Sequence, residues 1–290
     1  MQITSISGSF AQRVDGLSLW ETISASDIES LRRALSDFGV LHVPRQALSG
    51  DELADFSARF GELDVIVRTD WQLPERREVV LISNLRTGDG ASIGGLGSGE
   101  LSWHTDQSYM TSPATGSGLY LVEPPRTPTR TQWCNLKLAY RALDDAIKRR
   151  LAGKRAVFDY LKRQSTYDDE PKMSAELRRK TPLVTHPLVN EHPVSGEKAL
   201  YFDPTTTTTI VGLDEAEGTA LLDELTEHVT QEEFIYTHQW MTGDVVIWDN
   251  GFMLHRRDDF PIDEHRVLLR TTFRLPPDRH IVPAGALFDS

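Results

Sequence analysis

The chain has 290 residues, of which 39% are hydrophobic and 26% are charged, an ordinary composition for a globular protein with a substantial buried core. The formal net charge of −12 argues against nucleic-acid binding, which needs a basic surface, although a buried pocket can still be positive. With Cys134 as the sole cysteine, no secretion signal and no apolar run of roughly 18 residues, we expect a cytoplasmic protein without an internal disulfide or a membrane segment.

The first part of the chain predicts two helices and two strands. Capping boxes predict the start of each helix, and the glycine after each apolar stripe predicts its end. In chain order the predictions are a helix from the box at 26–29 to Gly39, a strand at 40–43, a helix from the box at 49–52 to Gly61, and a strand at 79–82.

Residues 86–99 are rich in glycine and run directly into His104. Glycines in this density hold regular structure poorly, so we predict a mobile loop. The composition fits a lid over a site and a plain surface connection equally well.

The middle of the chain mixes strands, helices and a polar excursion. The predictions are a strand at 118–122, one helix with apolar positions from Leu136 to Leu151, a solvated or partly disordered excursion at 161–180, a hairpin joining 183–189 to 199–202, and a helix through 221–229 with Asp214 near its start. The run Thr205–Thr209 is predicted as a loop or irregular strand, and the sequence gives it no function.

The last third is rich in strands, which are predicted at 234–240, 244–248, 252–256 and 267–275. No repeat or linker divides the chain. Short strands with helices mostly before them predict a mainly β fold with helical additions. We expect residues 1–290 to form one double-stranded β-helix (jelly-roll) domain.

The most informative pattern is His104-Thr-Asp106 with His255 far along the chain. In an extended segment residues i and i+2 point to the same side, so His104 and Asp106 can hold one ion. Two imidazoles and one carboxylate leave open coordination positions, as non-haem Fe(II) chemistry requires. Taken alone, the triplet is equally compatible with an ordinary hydrogen-bonded histidine.

Arg266 and Arg270 follow His255 at a spacing that places both on one face of a strand. If they are buried, they need anionic partners, and a guanidinium suits a carboxylate. The alternative is a pair of exposed arginines on an edge strand.

Several strings together resemble the taurine dioxygenase and dichlorophenoxyacetate dioxygenase family, and the similarity extends from about Phe38 to Phe273. The strings are Trp103–Tyr109, Phe60–Leu63, His192–Gly196, Trp240–Asn250 and the ending from His255 to Arg270. The resemblance implies an enzyme that uses Fe(II), α-ketoglutarate and O2, oxidises a C–H bond of a small molecule and forms succinate and CO2. Hydroxylation is the default outcome, and desaturation, cyclisation or C–heteroatom cleavage are alternatives.

Carried over by position, the resemblance implies that His104, Asp106 and His255 bind iron and act in catalysis. It implies that Arg266 and Thr131 bind the distal carboxylate of α-ketoglutarate, and that Arg270 binds an anionic group of the substrate. Which arginine serves which carboxylate stays open. The carboxylate of Asp106 favours oxygenation over halogenation.

Substrate contacts are also expected from Leu101 and Tyr109, although Tyr109 fits core packing equally well. Residues 64–68 lack the histidines that resemble a taurine pocket. A small carboxylate, sulfonate or amino acid fits an arginine clamp. The alternatives are a metal-dependent hydrolase and a non-catalytic small-molecule binding protein on the same scaffold. A homo-oligomer is compatible with the sequence.

Overall fold

The structure is a computed structural model that describes residues 1–66, 68–166 and 172–288. Within these ranges it is mostly β, with some helices. The strands are β1 (Gln2–Ser5), β2 (Gln12–Asp15), β3 (Val40–Val43), β4 (Glu62–Leu63), β5 (Val79–Ser83), β6 (Leu85–Arg86), β7 (Ser92–Ile93), β8 (Gly95–Leu96), β9 (Leu101–His104), β10 (Gly116–Glu123), β11 (Arg130–Asn135), β12 (Arg155–Phe158), β13 (Val184–Pro187), β14 (Val189–Glu191), β15 (Lys198–Leu200), β16 (Thr207–Ile210), β17 (Ile235–Gln239), β18 (Val245–Asp249), β19 (Met253–Arg257), β20 (Val267–Arg274) and β21 (Ala286–Leu287).

The helices are α1 (Ala25–Phe38), α2 (Gly50–Ser57), α3 (Leu136–Ala142), α4 (Asp145–Leu151), α5 (Tyr160–Thr166), α6 (Ala175–Lys180) and α7 (Glu215–Val229). Two short 3-10 turns cover Thr69–Trp71 and Glu232–Phe234. None of these helices is long and apolar enough to cross a membrane.

The largest sheet runs in the order β1–β2–β3–β18–β10–β20–β5–β8, with β4 beside β20. Its strands pair antiparallel except for β2 with β3 and β5 with β8. A second sheet runs β17–β11–β19–β9, and a third runs β16–β12–β13–β21. The pairs β14–β15 and β6–β7 complete the strand pairing of the described residues.

The two faces of the largest sheet bury different partners. Along β18, Val246 and Trp248 join the same core as Trp133 of the second sheet, and the two indole rings lie 5.6 Å apart. Val245 and Ile247 point the other way and pack with residues of α1 and α2. Because both faces are covered, Val245–Trp248 is a continuous apolar run rather than an alternating one.

The same alternation directs the two arginines of the last long strand. Leu268 packs in the core between the two sheets, whereas Leu269 packs toward the helices. Arg266 and Arg270 share the side of Leu268, because side chains of one face recur every two residues. Arg266 is 3% exposed and the Arg270 side chain is 12% exposed, so the alternative of two exposed arginines is wrong.

Most predicted elements are confirmed, but the predicted hairpin is wrong for β13, which pairs with β12, and only β14 pairs with β15. The second capping box, the Asp214 cap and the four late strands are present. The predicted start of α1 at the 26–29 box is wrong, because Ser24 accepts the capping hydrogen bond from the Asp27 amide. The single predicted helix from Leu136 to Leu151 is also wrong. It divides into α3 and α4, since Asp144 caps a new helix through the amide of Ile147.

One polar stretch contains more regular structure than the sequence predicts, and the threonine run includes a strand of irregular register, as predicted. The excursion at 161–180 contains most of α5 and all of α6, while residues 167–171 lie outside the described residues. In the threonine run, Thr207 begins β16, which pairs with β12. Contacts outside each stretch accompany this order, since Arg178 of α6 donates to Asp159 and β16 pairs with β12.

Candidate metal centre and adjoining cavities

Strand pairing brings the two predicted histidine ligands together. The strands β9 and β19 are antiparallel neighbours with His104 opposite His255, and their rings are 4.1 Å apart. Asp106 follows the end of β9 after one intervening residue, Thr105. One ligand atom from each of the three side chains lies within 4.8 Å of the others, and all three residues are buried.

The hydrogen bonds of the histidines leave nitrogen lone pairs for a metal. Nδ1 of His104 lies 2.7 Å from the Ser102 carbonyl oxygen and must donate to it, so Nε2 carries the lone pair. Nδ1 of His255 is buried, and no residue that the structure describes forms a hydrogen bond with it. Burial is the main cause that lowers the pKa of both imidazoles, aided by the charges of Arg163 for His104 and of His104 for His255. Neutral imidazole is the form that binds a cation.

Asp106 is held as a carboxylate by its neighbours. Its Oδ2 accepts a hydrogen bond from the Ser117 hydroxyl at 2.6 Å, and its Oδ1 lies 3.3 Å from Nη1 of Arg270. Burial acts to raise the pKa of Asp106. The charge of Arg270, the charges that His255 and His104 carry when protonated, and the Ser117 hydrogen bond outweigh burial and hold that pKa below its usual range.

A second group with the same donor types, His42, His238 and Asp244, differs in how its atoms are used. It is equally compact and buried. The two carboxylate oxygens of Asp244 face Nε2 of His42 at 2.9 Å and Nε2 of His238 at 3.1 Å, and Tyr236 bonds the remaining nitrogen of His238. Hydrogen bonds within the protein explain this cluster, so we assign it no metal.

An inner cavity adjoins the histidines. It is lined by Ile82, Leu96, Leu101, His104, Leu119, Thr131, Trp248, His255, Arg257, Arg266 and Arg270. Nε of Arg266 is buried and has no partner among the described residues, and burial followed by the charge of Arg257 lowers the pKa of Arg266 well below its ordinary value. A buried guanidinium of this kind requires an anion. Thr131 Oγ1 accepts from Trp240 Nε1 at 2.8 Å, which leaves the Thr131 hydroxyl proton free to donate.

An outer cavity lies on the other side of Arg270. It is lined by Ile66, Arg68, Trp71, Leu96, Thr105, Asp106, Gln107, Tyr109, Tyr160, Arg163, Arg270 and Thr272. Its charged lining consists of three guanidiniums and the Asp106 carboxylate, so the net charge is positive. The Arg68 guanidinium lies 3.9 Å from the Trp71 ring centre, and the rings of Tyr109 and Tyr160 are 4.6 Å apart. The walls therefore combine positive charge with aromatic faces.

A vestibule of about 380 Å³ shares Arg68, Trp71 and Leu96 with the outer cavity. The glycine-rich segment forms one of its walls, and Gly95 is needed there because a Cβ would lie 2.0 Å from the Trp71 ring. Leu96 follows with a φ of +69°, which is rare outside glycine.

The glycine-rich segment is anchored where it faces the cavities. Gly95 pairs with Ile82 in a parallel bridge between β8 and β5. The Arg257 guanidinium donates to the carbonyl oxygens of Leu96 at 3.1 Å, Gly97 at 3.2 Å and Gly99. The prediction of a loop without regular structure over 86–99 is therefore wrong for this part, because tertiary contacts fix the backbone.

Comparison with known proteins decides the family. The profile of the taurine catabolism dioxygenase TauD, TfdA family matches residues 2–272. The chain belongs to this family. It is a non-haem Fe(II)- and α-ketoglutarate-dependent dioxygenase, as the sequence resemblance predicted.

Relatives of known name and structure support this assignment. The chain is 34% identical over 272 residues to the α-ketoglutarate-dependent 2,4-dichlorophenoxyacetate dioxygenase of Cupriavidus pinatubonensis, covering 91% of this chain and 94% of that protein. It is 30% identical to pentalenolactone F synthase of Streptomyces avermitilis over 92% of both chains. A taurine dioxygenase from Burkholderia xenovorans superimposes with a TM-score of 0.80 at 28% identity, covering 100% of this chain and 95% of that one. The structure of AAD-2 with Mn(II) and N-oxalylglycine also gives 0.80, at 26% identity and 95% and 97% coverage.

The structure of this dioxygenase places each predicted site residue. Thr131, Leu101 and Arg266 line the inner cavity, Tyr109 lines the outer one, and Arg270 lies between the two. Leu101, which was predicted to contact substrate, lines the inner cavity and is absent from the lining of the outer one. A surface groove of about 460 Å³ near Arg130 and Asp258 shares no lining residue with either cavity, so its size does not make it the active site.

Sequence reasoning missed several cavity residues of the dioxygenase. Arg257 could have been found, because it follows His255 by two residues and must share its face of β19. Arg163 and Tyr160 lie on α5, in or beside a stretch whose charged composition indicated only solvent exposure. Arg68 and Trp71 carried no motif.

Proposed function

We propose that this dioxygenase oxidises a C–H bond of a small anionic or zwitterionic substrate that binds in the outer cavity. In this proposal Fe(II) is held by His104, Asp106 and His255, and α-ketoglutarate lies in the inner cavity. The observation that carries it is the meeting of two positively charged cavities at one His-Asp-His group, with Arg270 between them.

The inner cavity suits the distal carboxylate of the ketoacid. Arg266 offers a buried guanidinium without a protein anion, and Thr131 offers a hydroxyl donor. Arg270 is instead engaged with Asp106, which supports Arg266 as the residue that binds α-ketoglutarate. Two directed contacts would fix the orientation of the ketoacid relative to the histidines. When bound, the iron and the ketoacid would allow O2 to act as the oxidant, and the ketoacid would be converted to succinate and CO2.

The outer cavity suits a substrate with an anionic group and a flat or apolar body. Arg270 and Arg163 supply charge, and Tyr109, Tyr160 and Trp71 supply aromatic surface. An aromatic carboxylate has this combination, and the name of the Cupriavidus relative specifies such a molecule, 2,4-dichlorophenoxyacetate. Substrate placement against the metal side chains then decides which bond is oxidised, with hydroxylation as the default.

We also propose that residues 1–290 form one domain and that its two facing sheets form a double-stranded β-helix (jelly roll). The shared core of β18 and β11 and the adjacency of distant strands support this fold. A cytoplasmic location agrees with the single buried thiol, Cys134, whose pKa is raised by burial. The dioxygenase relatives favour this function over a hydrolase or a binding protein.

The test uses the anaerobic complex of the protein with Fe(II) and α-ketoglutarate, whose visible absorption band responds to substrate binding. We expect carboxylates or sulfonates, but not their uncharged amides, to shift the band and then to cause succinate release when O2 is admitted. Asp106→Ala removes one of three ligands, so we expect a loss of roughly a hundredfold or more in Fe(II) affinity and no substrate-dependent succinate.

The matched control is Asp244→Asn, which alters the other His-His-Asp group and should leave Fe(II) binding intact. Full Fe(II) affinity in Asp106→Ala, or succinate release that does not need O2, would contradict the proposed function. A band shift caused equally by the uncharged amides would contradict the anionic substrate class alone.

A further inference from the structure

The first three residues of the threonine run, Thr205 to Thr207, form a buried polar cluster with Asp203. Asp203 is completely buried, and its Oδ1 accepts hydrogen bonds from the backbone amide and the hydroxyl of Thr205, both at 2.8 Å. Its own amide donates to Thr207 Oγ1 at 2.8 Å. These bonds leave the Asp203 carboxylate little freedom, because they fix both its backbone and one of its oxygens.

The second oxygen of Asp203 reaches the segment that carries the proposed metal ligands. Its Oδ2 accepts from the Ser108 hydroxyl at 2.7 Å and from the Thr105 amide at 3.3 Å. Thr105 and Ser108 stand on either side of Asp106 in the chain. Oδ2 of Asp203 therefore holds both the backbone of Thr105, which precedes Asp106, and the side chain of Ser108, which follows it.

The turn that follows the metal motif needs such support. Gln107 has a φ of +54°, a conformation that side-chain-bearing residues seldom adopt. A backbone of this kind persists only where surrounding contacts determine it, at a cost of roughly 1–3 kcal/mol. Ser108 also lies 2.7 Å from Thr206 Oγ1, so the threonine run contributes to holding the turn.

We propose that Asp203 is a positioning residue for the metal centre, and that it acts by fixing the turn 105–108 so that the Asp106 carboxylate faces His104 and His255. Asp203 lines neither cavity and is not one of the three proposed metal ligands. The inference rests on the proposed metal centre and gives the threonine run a role that its sequence did not reveal. Neighbours that orient metal ligands typically account for about a ten- to hundredfold difference in metal affinity.

The experiment is a titration with Co(II), whose d–d absorption reports both affinity and coordination geometry. Asp203→Asn keeps the size of the side chain but replaces one oxygen with an NH2 group. Whichever way the amide is turned, this group faces donors, either those of Thr205 or those of Thr105 and Ser108. We expect the Kd for Co(II) to rise about ten- to hundredfold and the d–d spectrum to change.

Two milder variants separate positioning from a general effect on folding. Ser108→Ala removes a bond to the oxygen that faces the metal segment, whereas Thr205→Val removes a bond to the opposite oxygen. We expect Ser108→Ala to weaken Co(II) binding several-fold and Thr205→Val to change it by less than about twofold. If Asp203→Asn fails to fold, this pair still decides the question.

The outcomes distinguish this inference from the proposed function. Suppose that the wild type binds Co(II), that Asp106→Ala does not, and that Asp203→Asn has the Kd and spectrum of the wild type. This result would overturn the role of Asp203 alone. Equal effects of Ser108→Ala and Thr205→Val would do the same. If Asp106→Ala bound Co(II) as tightly as the wild type, the metal centre itself would be wrong and this inference with it.

Discussion

Arg266 carries its charge in a place where the protein itself provides no compensation. It is 3% exposed, its Nε has no protein partner, and Arg257 lies close enough to lower its pKa further. Among the described residues no carboxylate forms an ion pair with it. Folding alone does not account for a guanidinium here, so we attribute its retention to ligand binding.

Because the charge of Arg266 is uncompensated, we predict that Arg266→Met affects stability and α-ketoglutarate binding in opposite directions. The substitution removes an uncompensated buried charge and keeps an apolar chain of similar length, so we expect the ligand-free protein to melt a few degrees higher, about 2–4 °C per kcal/mol gained. Affinity for α-ketoglutarate should fall by roughly thirtyfold or more, the usual effect of truncating one side of a buried charge pair. Thermal melting and anaerobic titration with α-ketoglutarate measure the two effects.

The exposed Arg126 offers a matched control, since Arg126→Met removes the same charge from the surface. It should change neither quantity appreciably. An unchanged α-ketoglutarate affinity in Arg266→Met would transfer the carboxylate-binding role to another residue, with Arg270 the first candidate.

At the scale of single residues, the sequence predicts the groups that belong to a compact motif. His104 and Asp106 lie two residues apart, and the face that Arg266 and Arg270 share follows from strand alternation. Asp203 could not be predicted, because its role depends on contacts with a segment about a hundred residues away. The cluster of His42, His238 and Asp244 is a similar case. Only its hydrogen-bond geometry shows that the atoms that could bind a metal already bond to each other or to Tyr236.

At the scale of elements, capping residues predict where a helix starts or ends more reliably than apolar spacing predicts that it continues. The apolar spacing from Leu136 to Leu151 looks like one helix, yet Asp144 caps the amide of Ile147 and starts α4. A side chain that satisfies free amides can end one helix and begin another without disturbing the apolar period. The glycine-rich segment shows the reverse case, because its order comes from β5, Trp71 and Arg257 rather than from its own sequence.

The anchoring of that segment predicts its dynamics. Arg257→Gln removes a guanidinium that donates hydrogen bonds to three backbone carbonyl oxygens of this segment, those of Leu96, Gly97 and Gly99. With a net value of about 1 kcal/mol for each lost bond, we expect amides of residues 94–99 to exchange with deuterium about tenfold faster or more. Hydrogen-exchange mass spectrometry of peptides from this segment measures the effect.

Arg256→Gln is the control, because Arg256 points to the other face of β19, where it lies over the Trp103 ring. Its exchange rates at 94–99 should match those of the wild type. Equal rates in both variants would show that Arg257 does not hold the segment.

At the scale of the whole molecule, buried neutral histidines make stability depend on pH. Burial, with a smaller contribution from the Arg155 charge, lowers the pKa of His186 from 6.5 to about 4. The ring lies against Phe158 and Tyr201, and its Nε2 donates to the Met110 carbonyl oxygen at 3.0 Å. Below pH 6.5 His186 becomes protonated in the unfolded chain, whereas in the folded protein it stays neutral down to about pH 4. Stability therefore falls as the pH is lowered through this range.

We predict that His186→Gln, which keeps a donor for Met110 but cannot be protonated, loses less stability on acidification. Between pH 6 and 4.5 the slope of unfolding free energy against pH should be shallower by up to about 1.4 kcal/mol per pH unit, the value for one proton. Calorimetry of the metal-free protein gives this slope and should show one transition if residues 1–290 form a single domain. Identical slopes in wild type and variant would refute the contribution of His186.

The ladder between β9 and β19 places both imidazoles on paired backbone, whereas much of the outer cavity wall comes from short elements between the long strands: the 3-10 turn with Trp71, the segment around Leu96, and α5. Insertions and exchanges accumulate in connections far more readily than in paired strands. Related proteins can therefore evolve specificity for new substrates through changes in these wall elements, while the paired strands that carry the histidines are retained.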